Sequence, residues 1–389
     1  MNKSRKILSL VLSLAMVFAL ASCAPQGGEP STSVKPSEST TPSESVKPVE
    51  TPSADLGTIA LVTDVGTIDD EAFNQAAWRG VEAYGEASGV EYTYYQPSTD
   101  STDARLTSIA QAVKEGAKVI VCPGFMFAET LISAQETYPD VKFIGLDVSE
   151  FDMGNNIGSN VYCAVFAEEQ SGYLAGYGAV KDGFTKLGFL GGMAVPAVQR
   201  FGYGYVQGAN AAAEEMGVDI EIKYTYGGQF FGDANITAKM EGWYSQGTEI
   251  VFACGGGIWS SAAEAALNHK GYVIGVDVDQ HSLGNNPDFA YNPFITSATK
   301  GLKESVVTAL TAYYDGKWDT IGGKAQVLNL QGGDYVNLPT EGDSWAFRTF
   351  TQDEYHKIVE GIKDGSIKVS DAIDAPPAVG AHTTFTMIE

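Results

Sequence analysis

The chain has 389 residues, and 24 Lys and Arg stand against 48 Asp and Glu, a formal net charge of −24. A surface this acidic repels phosphate backbones, which excludes nucleic acid as a partner, and it suits a protein held off anionic headgroups. Its four Cys and four His lack CxxC or ligand-type spacing, so no zinc site, disulfide framework, metal or other cofactor is expected.

At the start of the chain, Lys3, Arg5 and Lys6 precede an apolar run from Ile7 to about Leu20. That run is short for a spanning helix and has the layout of a secretory signal, expected over residues 1–22. It ends in Leu20-Ala21-Ser22-Cys23, which resembles the bacterial lipobox. Cys23 is therefore the expected lipidation site, a membrane anchor at the extracytoplasmic face. Residues 23–55 are mostly Pro, Ser, Thr and Glu with no large apolar side chain beyond Val. Such a segment cannot bury enough surface to fold and reads as a tether.

From Leu56 onward, short β-branched apolar runs alternate with longer amphipathic stretches. Strands are expected at 58–63, 90–95, 118–122, 141–146, 186–191, 220–226, 249–254 and 271–276. The alternation implies right-handed crossovers and parallel sheets covered on both faces, an α/β class. A strand, a polar loop and a helix carrying Phe73 and Gly80 are echoed by a strand, a Gly-rich loop and a helix carrying Phe201 and Gly208. Two similar lobes in tandem follow. The expected division is an N-terminal lobe over 56–165 with a later return segment, a C-terminal lobe over 166–290, and a crossover strand and helix with completion of the lobes over 291–389. The stretch 168–181 reads as a helix linking the lobes, and 292–316 as a second link. Cys122, Cys163 and Cys254 are expected as small buried residues near strand ends.

Ligands in open α/β sheets bind beyond the carboxyl ends of strands, where helix N-termini also point. At those ends stand Asp64, Asp147, the run Gly255-Gly256-Gly257, Asp277 and Lys300. Phe73 and Phe201 are expected to open the equivalent helices and to face each other across a cleft. Two aromatic faces take a flat ring, and Asp and Asn match ring N–H donors and hydroxyls. Taken singly, each has a plainer role: a Phe at a helix start packs in a core, and Asp69 and Asp70 are expected as helix caps. Their coincidence at one edge points to a site. The Gly run lacks the Lys and Ser/Thr of a phosphate-binding loop.

The segments VTDVGTIDDEAFNQAAWRG, EEQSGYLAG, RFGYGYVQG, CGGGIW, IGVDVDQ and ITSATK resemble the basic membrane protein family, substrate-binding lipoproteins of ABC transporters that include purine nucleoside receptors. The resemblance covers about residues 56–340. It implies a type I periplasmic-binding-protein fold, two Rossmann-like lobes joined by a hinge. By that resemblance Asp64 and Asn74 bind the base, Phe73 and Phe201 stack on it, and Asp147 also faces it. Asp277 and Lys300 hold the ribose, and Gly255 and Gly256 let backbone approach the sugar. The implied partners are a nucleoside ligand, an ABC permease with its ATPase, and the membrane through Cys23; such receptors usually act as monomers. Two departures stand out: Ala72 where relatives often carry Ser, and Ile258-Trp259 after the Gly run, a bulky ring beside the expected sugar position.

Three other readings share these residues. A hydrolase would use paired carboxylates such as Asp277 and Asp279, although no nucleophile motif accompanies them. A sensor would use the same cleft without transport, and a sugar-binding protein would use the same residue types for a different ligand.

Overall fold

The computed structural model describes residues 56–388. In chain order β1 (Thr58–Val62), α1 (Phe73–Ser88), β2 (Tyr92–Tyr95), α2 (Thr102–Lys114), β3 (Ala117–Pro123), α3 (Ala128–Thr137), β4 (Lys142–Leu146) and β5 (Val161–Phe166) build a first lobe. The helix α4 (Glu168–Lys181) then leads to a second lobe of β6 (Lys186–Gly191), α5 (Pro196–Met216), β7 (Ile220–Tyr226), α6 (Ala234–Ser245), β8 (Ile250–Cys254), α7 (Trp259–His269), β9 (Tyr272–Asp277) and β10 (Phe294–Lys300). Each lobe carries its five strands in the order 2-1-3-4-5, so the two halves repeat one topology. Within each five all neighbours are parallel. Strands such as β1, β3 and β8 are buried along nearly their whole length, which is why they read as unbroken apolar runs rather than alternating ones.

The last quarter of the chain completes both sheets. Helix α8 (Leu302–Tyr314) packs on α1, and β11 (Lys324–Leu328) adds a parallel edge beside β5. Then β12 (Val336–Asn337) pairs antiparallel with β10, α9 (Gln352–Lys363) packs on α4, and β13 (Thr383–Met387) adds a parallel edge beside β7. The chain thus passes between lobes three times: through α4, through α8, and through residues 329–335. The stretches 168–181 and 292–316 correspond to α4 and to β10 with α8. The sequence reading did not foresee β5, β11, β12 or β13.

Helix α4 holds the halves together. Thirteen of its fourteen residues are buried, with Glu168, Glu169 and Gln170 in its first turn and small or apolar residues after them. Its backbone touches that of α5 through reciprocal glycines. A methyl group on Gly172 would lie 2.1 Å from the Phe201 carbonyl oxygen, and one on Gly176 would lie 2.0 Å from that of Tyr205. From the other side, Gly204 and Gly208 would meet the Glu169 and Tyr173 carbonyls at 2.1 and 2.0 Å. This is the physical content of the motifs EEQSGYLAG and RFGYGYVQG.

Candidate ligand-binding cleft

The cleft lies at the carboxyl ends of both sets of strands. Loops after β1 and β3 meet loops after β6 and β8, the places where strand order reverses in each lobe. It holds about 670 Å³ of space not filled by atoms, part of it open to solvent.

All nine residues expected at a site line this one cleft. Asp64, Phe73, Asn74 and Asp147 come from the first lobe, Phe201, Gly255, Gly256 and Asp277 from the second, and Lys300 from the end of β10. The apolar floor and rim include Phe125 and Met126 after β3, and Phe230 after β7. Those three were missed, although they stand at strand ends like the others. Cys23 lies outside the described residues. Cys122, Cys163 and Cys254 are buried, and Cys254 forms part of the cleft wall.

Local geometry explains why the opening loop is so acidic. Asp70 accepts from the backbone N–H groups of Ala72, Asn74 and Gln75, at 2.9 to 3.0 Å. It satisfies the free donors at the start of α1, the role expected of it, and it also lines the cleft. Asp64 accepts from the Gly66 N–H at 2.7 Å and from the Asn74 amide at 2.9 Å. A side chain on Gly66 would lie 2.3 Å from that amide nitrogen.

Phe201 differs from expectation in its place along the helix. Helix α5 begins at Pro196, so Phe201 sits in its second turn rather than at its opening. It still reaches the cleft, edge-on to Phe252 with centroids 5.9 Å apart. Gly255 and Gly256 have φ of 142° and 51°, backbone that a Cβ strains, so the run is a sharp turn against Phe230. Asp147 and Asp277 occupy equivalent positions just past β4 and at the end of β9. Both have left-handed backbone, with φ of 59° and 65°. Non-glycine residues held this way cost of order 1–3 kcal/mol and tend to mark functional sites.

Lys300 is the centre of the charge arrangement. Its ammonium donates to Asp147 at 2.6 Å and to Glu168 at 3.0 Å. Glu168 in turn accepts from Arg200 at 2.6 Å. The rings of Phe73, Phe166 and Phe201 surround the same nitrogen at 4.9, 5.1 and 5.8 Å. Glu168 and Arg200 had no assigned role in the sequence, and among the described residues no hydrogen bond joins Lys300 to Asp277. Instead the Asp277 carboxyl faces the cleft and is pushed up to about 7 by burial, against the pull of Lys300 and with the push of Asp147, Asp70 and Glu168.

Asp279 stands apart from Asp277. It accepts from the His281 N–H and from the Ser344 hydroxyl and does not line the cleft. Trp259 also lies off the cleft lining. Its indole N–H donates to the Asp70 carbonyl in the opposite lobe at 3.4 Å. Beside it, the Gln280 amide donates to the Glu71 carbonyl at 2.8 Å, again across the lobes. Gln280 is held in place by accepting from Val276 N–H and by donating its own N–H to Ser297, both at 3.0 Å.

The family profile described as "ABC transporter substrate-binding protein PnrA-like" matches residues 58–371. The chain belongs to this family. It is a substrate-binding protein of an ABC transporter, and members of the family are extracytoplasmic. It is 33% identical over 290 residues to the "ABC transporter nucleoside-binding protein BmpA" of Lactococcus lactis, covering 70% of this chain and 79% of that one. It is 32% identical to "Basic membrane protein A1" of Borrelia garinii, covering 65% of this chain and 71% of the relative. A solved solute-binding protein of an ABC transporter system from Aeropyrum pernix superposes with a TM-score of 0.70 at 21% identity, covering 82% of this chain and 94% of that one. One from Conexibacter woesei gives 0.62 at 21% identity, covering 81% and 99%. These superpositions bear out the expected fold, α/β of the type I periplasmic-binding class. Among the described residues no helix is long and apolar enough to cross a membrane, and no group of three or more His, Cys, Asp and Glu is arranged to hold a metal ion.

Burial raises the carboxyl pKa values of Asp64 and Asp70, and carries Glu169 to about 8 as it does Asp277 to about 7. Each binds more proton folded than unfolded between its ordinary value and its raised one. Stability of the unliganded protein therefore falls as pH rises through that window. Glu168, lowered chiefly by Arg200 and Lys300 against its burial, acts only below its ordinary range. The melting temperature of ligand-stripped protein is expected to be higher at about pH 5.5 than at about pH 8. A flat or rising profile would contradict the buried, ionisable cleft.

Proposed function

We propose that this protein captures a nucleoside, with a purine as its base, in the interlobe cleft and presents it to an ABC permease and its ATPase. Cys23 would carry the lipid that keeps it at the extracytoplasmic membrane face. The observation that carries the reading is a cleft lined by Phe73 and Phe201, with two buried oxygens that have no hydrogen-bond partner, Asn74 Oδ1 and Asp147 Oδ1. A flat heteroaromatic ring with N–H groups satisfies both features at once, whereas a buried acceptor left alone is unfavourable. The left-handed Asp277 offers a second carboxylate for vicinal hydroxyls. The name of the Lactococcus relative agrees with this reading. Closure of the lobes over the ligand, favoured by contacts made only in the closed form, supplies the signal a permease reads.

Isothermal titration of ligand-stripped protein tests it. Purine nucleosides are expected to bind tightly and one to one, with ribose and galactose silent. Sugar binding with silent nucleosides would overturn the assignment of Phe73, Asn74 and Phe201. Asp64→Ala is expected to weaken nucleoside binding by about 2 kcal/mol or more, because Asn74 and the loop lose the acceptor that orients them.

A further inference from the structure

The polarity of the atoms at the Asp64–Asn74 end of the cleft goes further than the nucleoside reading, on which it rests. Asn74 is 3% exposed. Its amide nitrogen donates to Asp64 at 2.9 Å and to Asp70 at 3.4 Å. Both partner oxygens already accept a backbone N–H, so the amide has one orientation: turned over, its carbonyl oxygen would face two acceptors. That leaves Asn74 Oδ1 as the atom offered to a ligand, buried and without a partner.

Asp64 spends one oxygen on the Gly66 N–H and the Asn74 amide. Among the described residues no hydrogen bond reaches its other oxygen. Asp70 spends both oxygens on backbone and Asn74 donors. Among the described residues the one ammonium lining the cleft, that of Lys300, is committed to Asp147 and Glu168 and packed among three Phe rings. Among the described residues that line this end of the cleft, Asp64 and Asn74 thus each keep an acceptor oxygen free, and no lining side chain offers a free donor beside them.

We infer that the cleft selects a 2-amino-6-oxopurine nucleoside, the guanosine class, because the Asp64–Asn74 pair requires two adjacent N–H donors on the base. Guanine offers N1–H beside its 2-amino group. Hypoxanthine offers N1–H beside a C–H. Adenine sets the N1 lone pair beside its 6-amino group, and cytosine does the same with N3, so one acceptor of the protein meets an acceptor of the ligand. A mismatch of that kind is punished far more than a lost methylene, since both groups are then buried unpaired. The four cleft carboxylates, Asp64, Asp70, Asp147 and Asp277, also disfavour phosphorylated forms of the same base.

The test is a titration of ligand-stripped protein with guanosine, inosine, adenosine and 1-methylguanosine at about pH 8, far above the ordinary carboxylate range. Guanosine is expected to bind about 10-fold more tightly than inosine and about 100-fold more tightly than adenosine or 1-methylguanosine. Asp64→Asn is the second arm. Its oxygen must still accept from Gly66 and Asn74, so its amide turns a donor toward the ligand. The guanosine-to-adenosine ratio should then fall at least 10-fold, with the melting temperature little changed. Adenosine binding as tightly as guanosine to the parent protein would overturn the inference and leave the nucleoside reading standing. An unchanged ratio in a folded Asp64→Asn would overturn it too. Silence toward every nucleoside would instead remove the reading beneath it. If Asp64→Asn does not fold, 1-methylguanosine against guanosine decides alone.

Discussion

Gly176→Ala is expected to destabilise the protein by about 3 kcal/mol, and Gly208→Ala by a similar amount. In an ordinary exposed helix the same change stabilises, because alanine loses less conformational entropy on folding. Here the sign reverses. The new methyl group would stand 2.0 Å from the Tyr205 carbonyl oxygen at Gly176, and 2.0 Å from that of Tyr173 at Gly208. Both obstacles are backbone inside a helix, so neither can swing aside. Helices α4 and α5 would have to separate, and α5 carries Phe201 and Arg200. Gly242 in α6 is the control: a methyl group there meets nothing within 4 Å. Gly242→Ala is expected to stabilise by about 0.5–1 kcal/mol. Denaturant midpoints at constant slope measure all three. Equal effects at Gly176 and Gly242 would mean that the helices do not touch through their backbones.

Lys300→Met is expected to abolish ligand binding and to lower stability by about 3–5 kcal/mol, the cost of stranding buried partners without their counter-charge. Lys300 and Glu168 are almost wholly inaccessible along their side chains, at 1% and 0%, and Asp147 is at 8%. Arg200 still neutralises Glu168 in the variant, so Asp147 bears most of the change. Its carboxyl, already raised by burial against the pull of Lys300, would rise further. A raised carboxyl is stabilising while protonated and loses that contribution as pH rises through its folded value. The variant should therefore lose stability more steeply than the parent between about pH 5 and pH 8. Glu168→Gln keeps the Lys300–Asp147 pair and is expected to weaken binding less. Thermal melts across pH, with titrations at each, separate the two. Parental affinity in a folded Lys300→Met would show that the ion pair is not what sets the cleft.

The fold could be read where burial made strands continuous in apolar residues. β1, β3, β4, β6, β8 and β9 are such runs, and β7, IEIKYTY, alternates instead. β5, VYCAVF, is just as apolar, yet no helix separates it from β4, and a reading built on alternation passed over it. β11 and β13 are edge strands with mostly exposed residues, and β12 has two residues. They exist because a neighbour offers unpaired backbone, which local pattern does not record. The rule of strand ends gathered Asp64, Asp147, Asp277 and Lys300 at one edge. Applied to β3 and β7, it would also have found Phe125, Met126 and Phe230. Glu168 and Arg200 escaped because their partners come from distant parts of the chain: Glu168 meets Lys300 across 132 positions. Phe201 was placed on its helix correctly but at the wrong turn, since Pro196 starts α5 earlier than the aromatic suggested.

Gln280 and Trp259 cross the cleft to grip carbonyl oxygens of Asp70 and Glu71, not their side chains. A carbonyl is present whatever residue stands there. The clasp that joins the lobes is thus indifferent to the sequence of the very loop that supplies Asp64 and leads to Phe73 and Asn74. Over generations, side chains that choose the cargo can drift while the machinery of closing is inherited intact. Duplicated copies of such a gene can diverge in what they carry without relearning how to shut, and a designer altering the cargo inherits the same freedom.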